Sequence, residues 1–265
     1  VSAAKVEGAG VELAYDERGA GEPVVLVHGA ASMRSIWDEV RDALGDGFRT
    51  IAYDRRGYGE SGEPEDYRRT TVFEHGDDLI ALLRGLDLAP AVLCGHSFGA
   101  MTCLDAVMRE PGLVRGAVLI EPPMLWLAAG GAEAMSALHG AIEEGAAEHG
   151  SAGAIGAFVR EVCGDHALES VGRERATAAL AHPRGFGADM GAVGDWSVPP
   201  REIRAIETPV VMVAGTRTPQ AYREPATVLA RMIPGAELRE ADSGHLVPNE
   251  APGVVAQAVR QLAQP

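Results

Sequence analysis

The chain is short of positive charge: 23 Lys and Arg stand against 38 Asp and Glu in 265 residues, a formal net charge of -15. Nucleic-acid binding needs clustered cations that neutralise phosphates, so the composition argues against that class of partner. No basic tract suits an anionic membrane surface, and the acidity reads as solubility. Cysteine is also scarce. Cys94, Cys103 and Cys163 are an odd number in apolar settings, which argues against a disulfide framework and for a reducing, cytoplasmic compartment. No apolar run approaches the roughly 18 residues of a membrane span, and neither end reads as a signal segment. A Gly-rich phosphate loop followed by Lys-Ser/Thr is missing, as is any Cys/His cluster with zinc spacing, so no cofactor and no metal are expected.

What is present is material for one sizeable core, with 46% hydrophobic and 23% charged residues. Residues Lys5 to Glu17, interrupted at Gly8 to Gly10, read as an antiparallel hairpin. Short apolar runs at Pro23 to Val27, Thr50 to Tyr53, Ala91 to Gly95, Gly116 to Ile120 and Val210 to Ala214 read as buried strands, with Glu237 to Glu240 as a last edge strand. Helical spacing of apolar residues falls at Ser35 to Leu44, Val72 to Leu86, Phe98 to Arg109, Glu224 to Met232 and Val254 to Leu262. The alternation predicts an α/β fold, a mostly parallel eight-stranded sheet flanked by helices. Residues 124–200 break this rhythm: rich in Ala and Gly, helical in pattern and without a convincing strand, they are expected to form an inserted helical cap on a core made of 1–123 and 201–265.

Gly95-His96-Ser97-Phe98-Gly99 spells G-x-S-x-G directly between a strand and a helix. A strand turning sharply into a helix holds the central residue strained and exposed, and small flanking residues let neighbouring backbone come close. Ser97 is therefore the candidate nucleophile. An acyl-transfer enzyme also needs two N–H donors where negative charge develops on the substrate oxygen. Phe98, at the helix start, offers one; Ala30, in the loop His28-Gly29-Ala30-Ala31 after the first buried strand, is expected to offer the other.

The His28-Gly29 turn, the segment Asp54-Arg55-Arg56-Gly57-Tyr58-Gly59-Glu60-Ser61, the serine turn and a late Gly244-His245 occur in the order typical of the α/β-hydrolase fold, which the chain resembles over nearly its whole length. The resemblance implies that His245 is the general base that Ser97 requires, and that His28 and the segment from Asp54 to Ser61 shape turns beside the site. It also exposes a departure. Where many members carry an Asp in a G-x-x-D-P turn, this chain reads Gly215-Thr216-Arg217-Thr218-Pro219, and Thr218 cannot supply a negative charge. Some relatives place the acid at the end of the preceding core strand, where Glu121 stands. A carboxylate ending the strand Val118-Leu119-Ile120 is costly to bury without a partner, and a histidine would resolve that cost. Asp242 is the runner-up, with Asp189 and Asp195 behind it. The Glu121 layout resembles that of zearalenone-type lactonases.

These residues point to hydrolysis of a carboxylic ester or lactone through an acyl-enzyme on Ser97, of the carboxylesterase or lactonase type. Carbon–carbon bond hydrolysis or haloperoxidase-type perhydrolysis on the same triad stays open, and so does a small-molecule receptor of the same fold that turns nothing over. The expected substrate is small and apolar, and a homodimer is allowed for. Met124, Leu125, Trp126, Leu127, Met135, Leu138, Phe158, Phe186 and Trp196 are candidates to wall its pocket. Trp126, Leu125, Trp196 and Phe186 lead them, while Met135 and Leu138, at helical spacing, are expected to pack the cap itself. His139, His149, His166 and His182 are expected at its surface, with contact to substrate as the alternative.

Overall fold

Runs such as Val24-Val25-Leu26-Val27 put apolar side chains on both faces of an extended chain, so each has to be covered on both sides. In the computed structural model, which describes residues 3–264 apart from 166, 168–171, 173, 174, 176 and 179, they form the middle of an eight-stranded sheet. Its strands are β1 (Ala4–Glu7), β2 (Glu12–Arg18), β3 (Glu22–Val27), β4 (Phe48–Tyr53), β5 (Ala91–His96), β6 (Val114–Ile120), β7 (Val210–Gly215) and β8 (Glu237–Ala241). They lie in the order β1-β2-β4-β3-β5-β6-β7-β8. The pairs β1/β2 and β2/β4 are antiparallel, and the rest are parallel. The strands outrun the expected ones slightly, because the apolar pattern marks the covered stretch while the ladder continues over polar residues such as Arg49.

The helices are α1 (Asp38–Leu44), α2 (Val72–Gly85), α3 (Phe98–Arg109), α4 (Gly131–Cys163), α5 (Pro183–Asp195), α6 (Pro200–Ile203), α7 (Gln220–Met232), α8 (Val247–Glu250) and α9 (Pro252–Ala263). Val25, Val27, Leu93, Leu119 and Met212 share one face of the sheet with α2, α3 and α7. Val24, Leu26, Val92, Val118 and Val211 share the other with α1 and α9. Each Val or Leu so covered contributes about 1.5–3 kcal/mol. The start of α2 is fixed by a capping box in which Thr71 and Glu74 satisfy each other's backbone N–H groups, a device worth about 1 kcal/mol. Two boundaries differ from the sequence reading. The helix expected from Ser35 opens as a 3-10 turn, Arg34–Trp37, before α1. The helix expected from Glu224 begins at Gln220, because the Pro219 carbonyl accepts the N–H groups of Tyr222 and Arg223 and the helix continues through Pro225.

Between β6 and β7 the described residues form helices and turns and no strand. α4 is broken at His149 and Gly150, which leave helical geometry. A side chain added at Gly145 would meet the Gly153 carbonyl oxygen at 2.4 Å, and one at Gly153 would meet that of Gly145 at 2.0 Å. Residues eight apart in a straight helix are about 12 Å apart, so the chain doubles back here, backbone against backbone. This hairpin and α5 gather Leu138, Ile155, Phe158, Val162 and Phe186 into a third apolar cluster.

Candidate active site

Ser97 sits where β5 turns into α3, at φ 52 and ψ -119. A non-glycine residue held there costs about 1–3 kcal/mol, and the surroundings show why it is forced. A Cβ on Gly95 would lie 2.3 Å from the Gly99 carbonyl oxygen, and one on Gly99 would lie 2.1 Å from that of Val27. Only hydrogens fit at these two positions, so strand, turn and helix close tightly around the serine. The Ser97 N–H donates to the Ile120 carbonyl at 2.8 Å, which ties the turn to the end of β6.

Just past the end of β6 is Glu121, fully buried, with φ 45. Its Oε1 accepts the Gly215 N–H at 2.7 Å, and its Oε2 lies 2.5 Å from His245 Nδ1. Paired in this way, Nδ1 carries the proton and Nε2 keeps a lone pair. His245 is held from its backbone side as well, since His96 Nε2–H donates to the His245 carbonyl at 2.8 Å. Burial, and next the neighbouring His245, push the pKa of His96 down to about 3, so it remains a neutral donor. The other carboxylates lie elsewhere. Asp242 is exposed and paired with Arg217, Asp195 is exposed, and Asp189 is committed to a buried ion pair with Arg55. Thr218 is buried, and its hydroxyl has no hydrogen-bond partner among the described residues.

Ser97 and His245 border two unequal spaces. A narrow slot of about 30 Å³ is lined by Ala30, Phe98, Glu121, Leu125, Met135, Leu138, Met190, Val193 and Tyr222. A wide lobe of about 670 Å³ is lined by Met33, Ile36, Ile155, Val159, Cys163 and Leu246, among others, and Ala30 and Phe158 border both. The slot has room for about one or two waters, whereas the lobe is of ordinary ligand-pocket size. Phe98 opens α3, so its N–H has no acceptor within the helix.

Of the apolar residues expected at the pocket, Leu125 lines the slot. Trp126 does not: the 3-10 turn Leu125–Leu127 sends neighbouring side chains to different sides, and Trp126 is left 44% exposed. Phe186 packs edge-on behind Phe158 at 5.2 Å and borders neither space. Trp196 is buried in the core cluster beside Val198 and Ile203. Met135 and Leu138, expected to pack the cap, lie in the third apolar cluster and also line the slot. Met190, Val193 and Tyr222 were not foreseen. Among the histidines between 124 and 200, His139 and His149 are exposed, His139 also borders the slot, and His182 accepts the Gly59 N–H at 3.2 Å; His166 lies outside the described residues.

A buried polar network backs the site. His28 Nε2 accepts the Arg55 N–H at 2.9 Å, so its Nδ1–H donates to the Gly29 carbonyl at 2.8 Å. Burial, helped by Arg55, holds His28 well below the ordinary histidine pKa. Asp189 accepts from both terminal nitrogens of Arg55, at 3.1 and 2.6 Å, and from the Tyr58 hydroxyl at 2.7 Å. Burial alone would raise its pKa, but Arg55 and His75 hold it below the usual carboxylate range. The sequence carried a signal for this pair: Asp189 falls on the buried face of α5 with Phe186 and Ala192, and a buried carboxylate calls for a cation. Among the described residues, no group of three or more His, Cys, Asp or Glu is placed to hold a metal ion.

The chain belongs to the alpha/beta hydrolase family, whose sequence profile matches residues 24–258. It is 35% identical over 111 residues to 2-(acetamidomethylene)succinate hydrolase of Mesorhizobium japonicum, a match covering 42% of this chain and 39% of that one. The matches span less than half the length of the curated relatives. Two solved structures match over nearly the full length. A thermophilic esterase from Thermogutta terrifontis superimposes with a TM-score of 0.82 and 25% identity, covering 98% of this chain and 97% of the other. Est816, described as an N-acyl homoserine lactone degrading enzyme, gives 0.77 and 25%, covering 97% and 99%.

Proposed function

We propose that this protein hydrolyses carboxylic esters or lactones through an acyl-enzyme on Ser97. His245 Nε2 takes the Ser97 proton as the hydroxyl attacks the carbonyl, then returns it to the departing alkoxide. Glu121 holds the imidazole in the correct tautomer and stabilises its charged form. The N–H groups of Ala30 and Phe98 hold the oxyanion. A water activated by His245 then releases the acid. The observation that carries this reading is the 2.5 Å contact of Glu121 with His245 Nδ1 at a cavity His245 shares with Ser97.

Residues 124–200 act as the cap, and its hairpin and α5 form most of the roof. The unequal spaces favour a carbonyl with one compact and one bulky substituent. The esterase and the lactone-degrading enzyme among the structural neighbours are consistent with that substrate class. The test is fluorophosphonate labelling, with the modified residue mapped, and single-turnover kinetics on a panel of esters and lactones. Ser97 takes the label in the wild type. Glu121→Ala loses about 10³-fold or more in acylation rate, while Asp242→Asn stays near wild type. An unlabelled Ser97 with no turnover across the panel overturns the proposal.

A further inference from the structure

We propose, building on the Ser97 reading, that Arg55 is a positioning residue for the oxyanion hole and that Asp189 of the cap holds it in that role. The Gly29 carbonyl and the Ala30 N–H belong to one planar peptide, so whatever fixes the carbonyl fixes the N–H on its opposite side. That carbonyl accepts two hydrogen bonds, one from His28 Nδ1–H at 2.8 Å and one from Arg55 Nη2–H at 3.0 Å. Arg55 Nε–H also donates to the His28 carbonyl at 2.9 Å, so the guanidinium fork spans two consecutive carbonyls of the loop. A cation bound to the carbonyl draws electron density through the peptide and makes its N–H a stronger donor. The same guanidinium lies over the Phe98 ring, 4.4 Å from its centre, against the residue that supplies the second N–H.

Asp189 gives the arrangement its second half. It comes from α5, yet it holds both terminal nitrogens of Arg55 and the Tyr58 hydroxyl, and that hydroxyl in turn accepts the Ala31 N–H at 3.4 Å. Both members of the ion pair are fully buried. Stability alone does not account for such a pair, since apolar replacements of similar volume are often as stable. Coupling does: with α5 seated, Arg55 is held on the Gly29 carbonyl, and with α5 lifted the fork loses its counter-charge and its reason to stay. The oxyanion hole thereby reaches full strength only under a closed cap.

The experiment compares the full-length protein with Arg55→Lys, Asp189→Asn and the charge-free double variant Arg55→Met/Asp189→Leu. It reads kcat and KM on the best panel ester, affinity for the matching trifluoromethyl ketone, and the Ala30 backbone ¹⁵N shift. In the double variant kcat falls about 10- to 100-fold with KM nearly unchanged, ketone affinity falls in step, and the Ala30 signal moves. Arg55→Lys recovers little, because an ammonium cannot span two carbonyls and a carboxylate. A folded double variant with wild-type kcat, ketone affinity and Ala30 shift overturns the proposal. Should the double variant not fold, Asp189→Asn with those three readings unchanged overturns it equally. Fluorophosphonate labelling separates the two claims: a null result with Ser97 labelled sinks this inference alone, and an unlabelled wild type sinks the Ser97 reading with it.

Discussion

Ser97 holds a conformation that its own side chain resists, because the glycines on either side admit backbone that a larger residue would push away. That strain is measurable. Ser97→Gly relieves it and Ser97→Ala keeps it, while both remove the hydroxyl proposed as the nucleophile. The glycine variant is expected to unfold at higher urea, by about 1 kcal/mol, since the left-handed region costs a side chain about 1–2 kcal/mol and glycine's extra chain entropy returns part of that. Glu121 is a second residue whose position is unusual. It starts from the end of β6, reaches the Gly215 N–H with one oxygen and His245 with the other, and leaves Thr218 with no charge to supply.

Among the elements, the hairpin within α4 is the least ordinary. Its two arms meet at Gly145 and Gly153, and Phe158 and Val162 follow on the returning arm as walls of the slot. Gly153→Ala puts a methyl where a carbonyl oxygen lies at 2.0 Å, so the arms must separate. Expected are a loss of about 1–3 kcal/mol in stability and a rise in KM larger for esters with a bulky acyl or alcohol group than for small ones. Thermal unfolding and a substrate-size series check both. In the α2 to α3 layer, by contrast, apolar spacing marked both helices, but α3 is covered on every side, with all residues from Phe98 to Val107 buried.

At the scale of the whole molecule, acid should be the destabilising direction. Burial drives His96 to about 3 and lowers His28 and His75, so all three are neutral in the folded protein while the unfolded chain protonates them below about pH 6.5. Their contribution is complete above that pH and is lost as pH falls toward the folded values. For His96 the full loss, reached below about pH 3, is on the order of 5 kcal/mol. Asp105 has the opposite sign. Burial outweighs Arg109 and raises it to about 7, so its cost sets in as pH climbs from about 4 to 7. Urea unfolding from pH 4 to 8 should show stability rising with pH, a flatter rise in His96→Gln and a steeper one in Asp105→Asn.

The sequence by itself determined which apolar runs become strands, the turn at Ser97 between strand and helix, and where the late histidine loop falls in the chain, because each depends on residues within a few positions of one another. A period of two buries a strand on both faces, and small residues two places from Ser97 permit one sharp turn. None of the described helices is long and apolar enough to cross a membrane. Only the tertiary structure decided which carboxylate meets His245, since Glu121 stands 124 residues from it and the nearby Asp242 turns outward to Arg217. It likewise decided that Leu125 faces the slot while Trp126 faces solvent, and that Arg55 meets Asp189 across 134 residues of chain. These outcomes depend on where distant elements come to lie, and a local pattern can specify only that a face is buried, never what it is buried against.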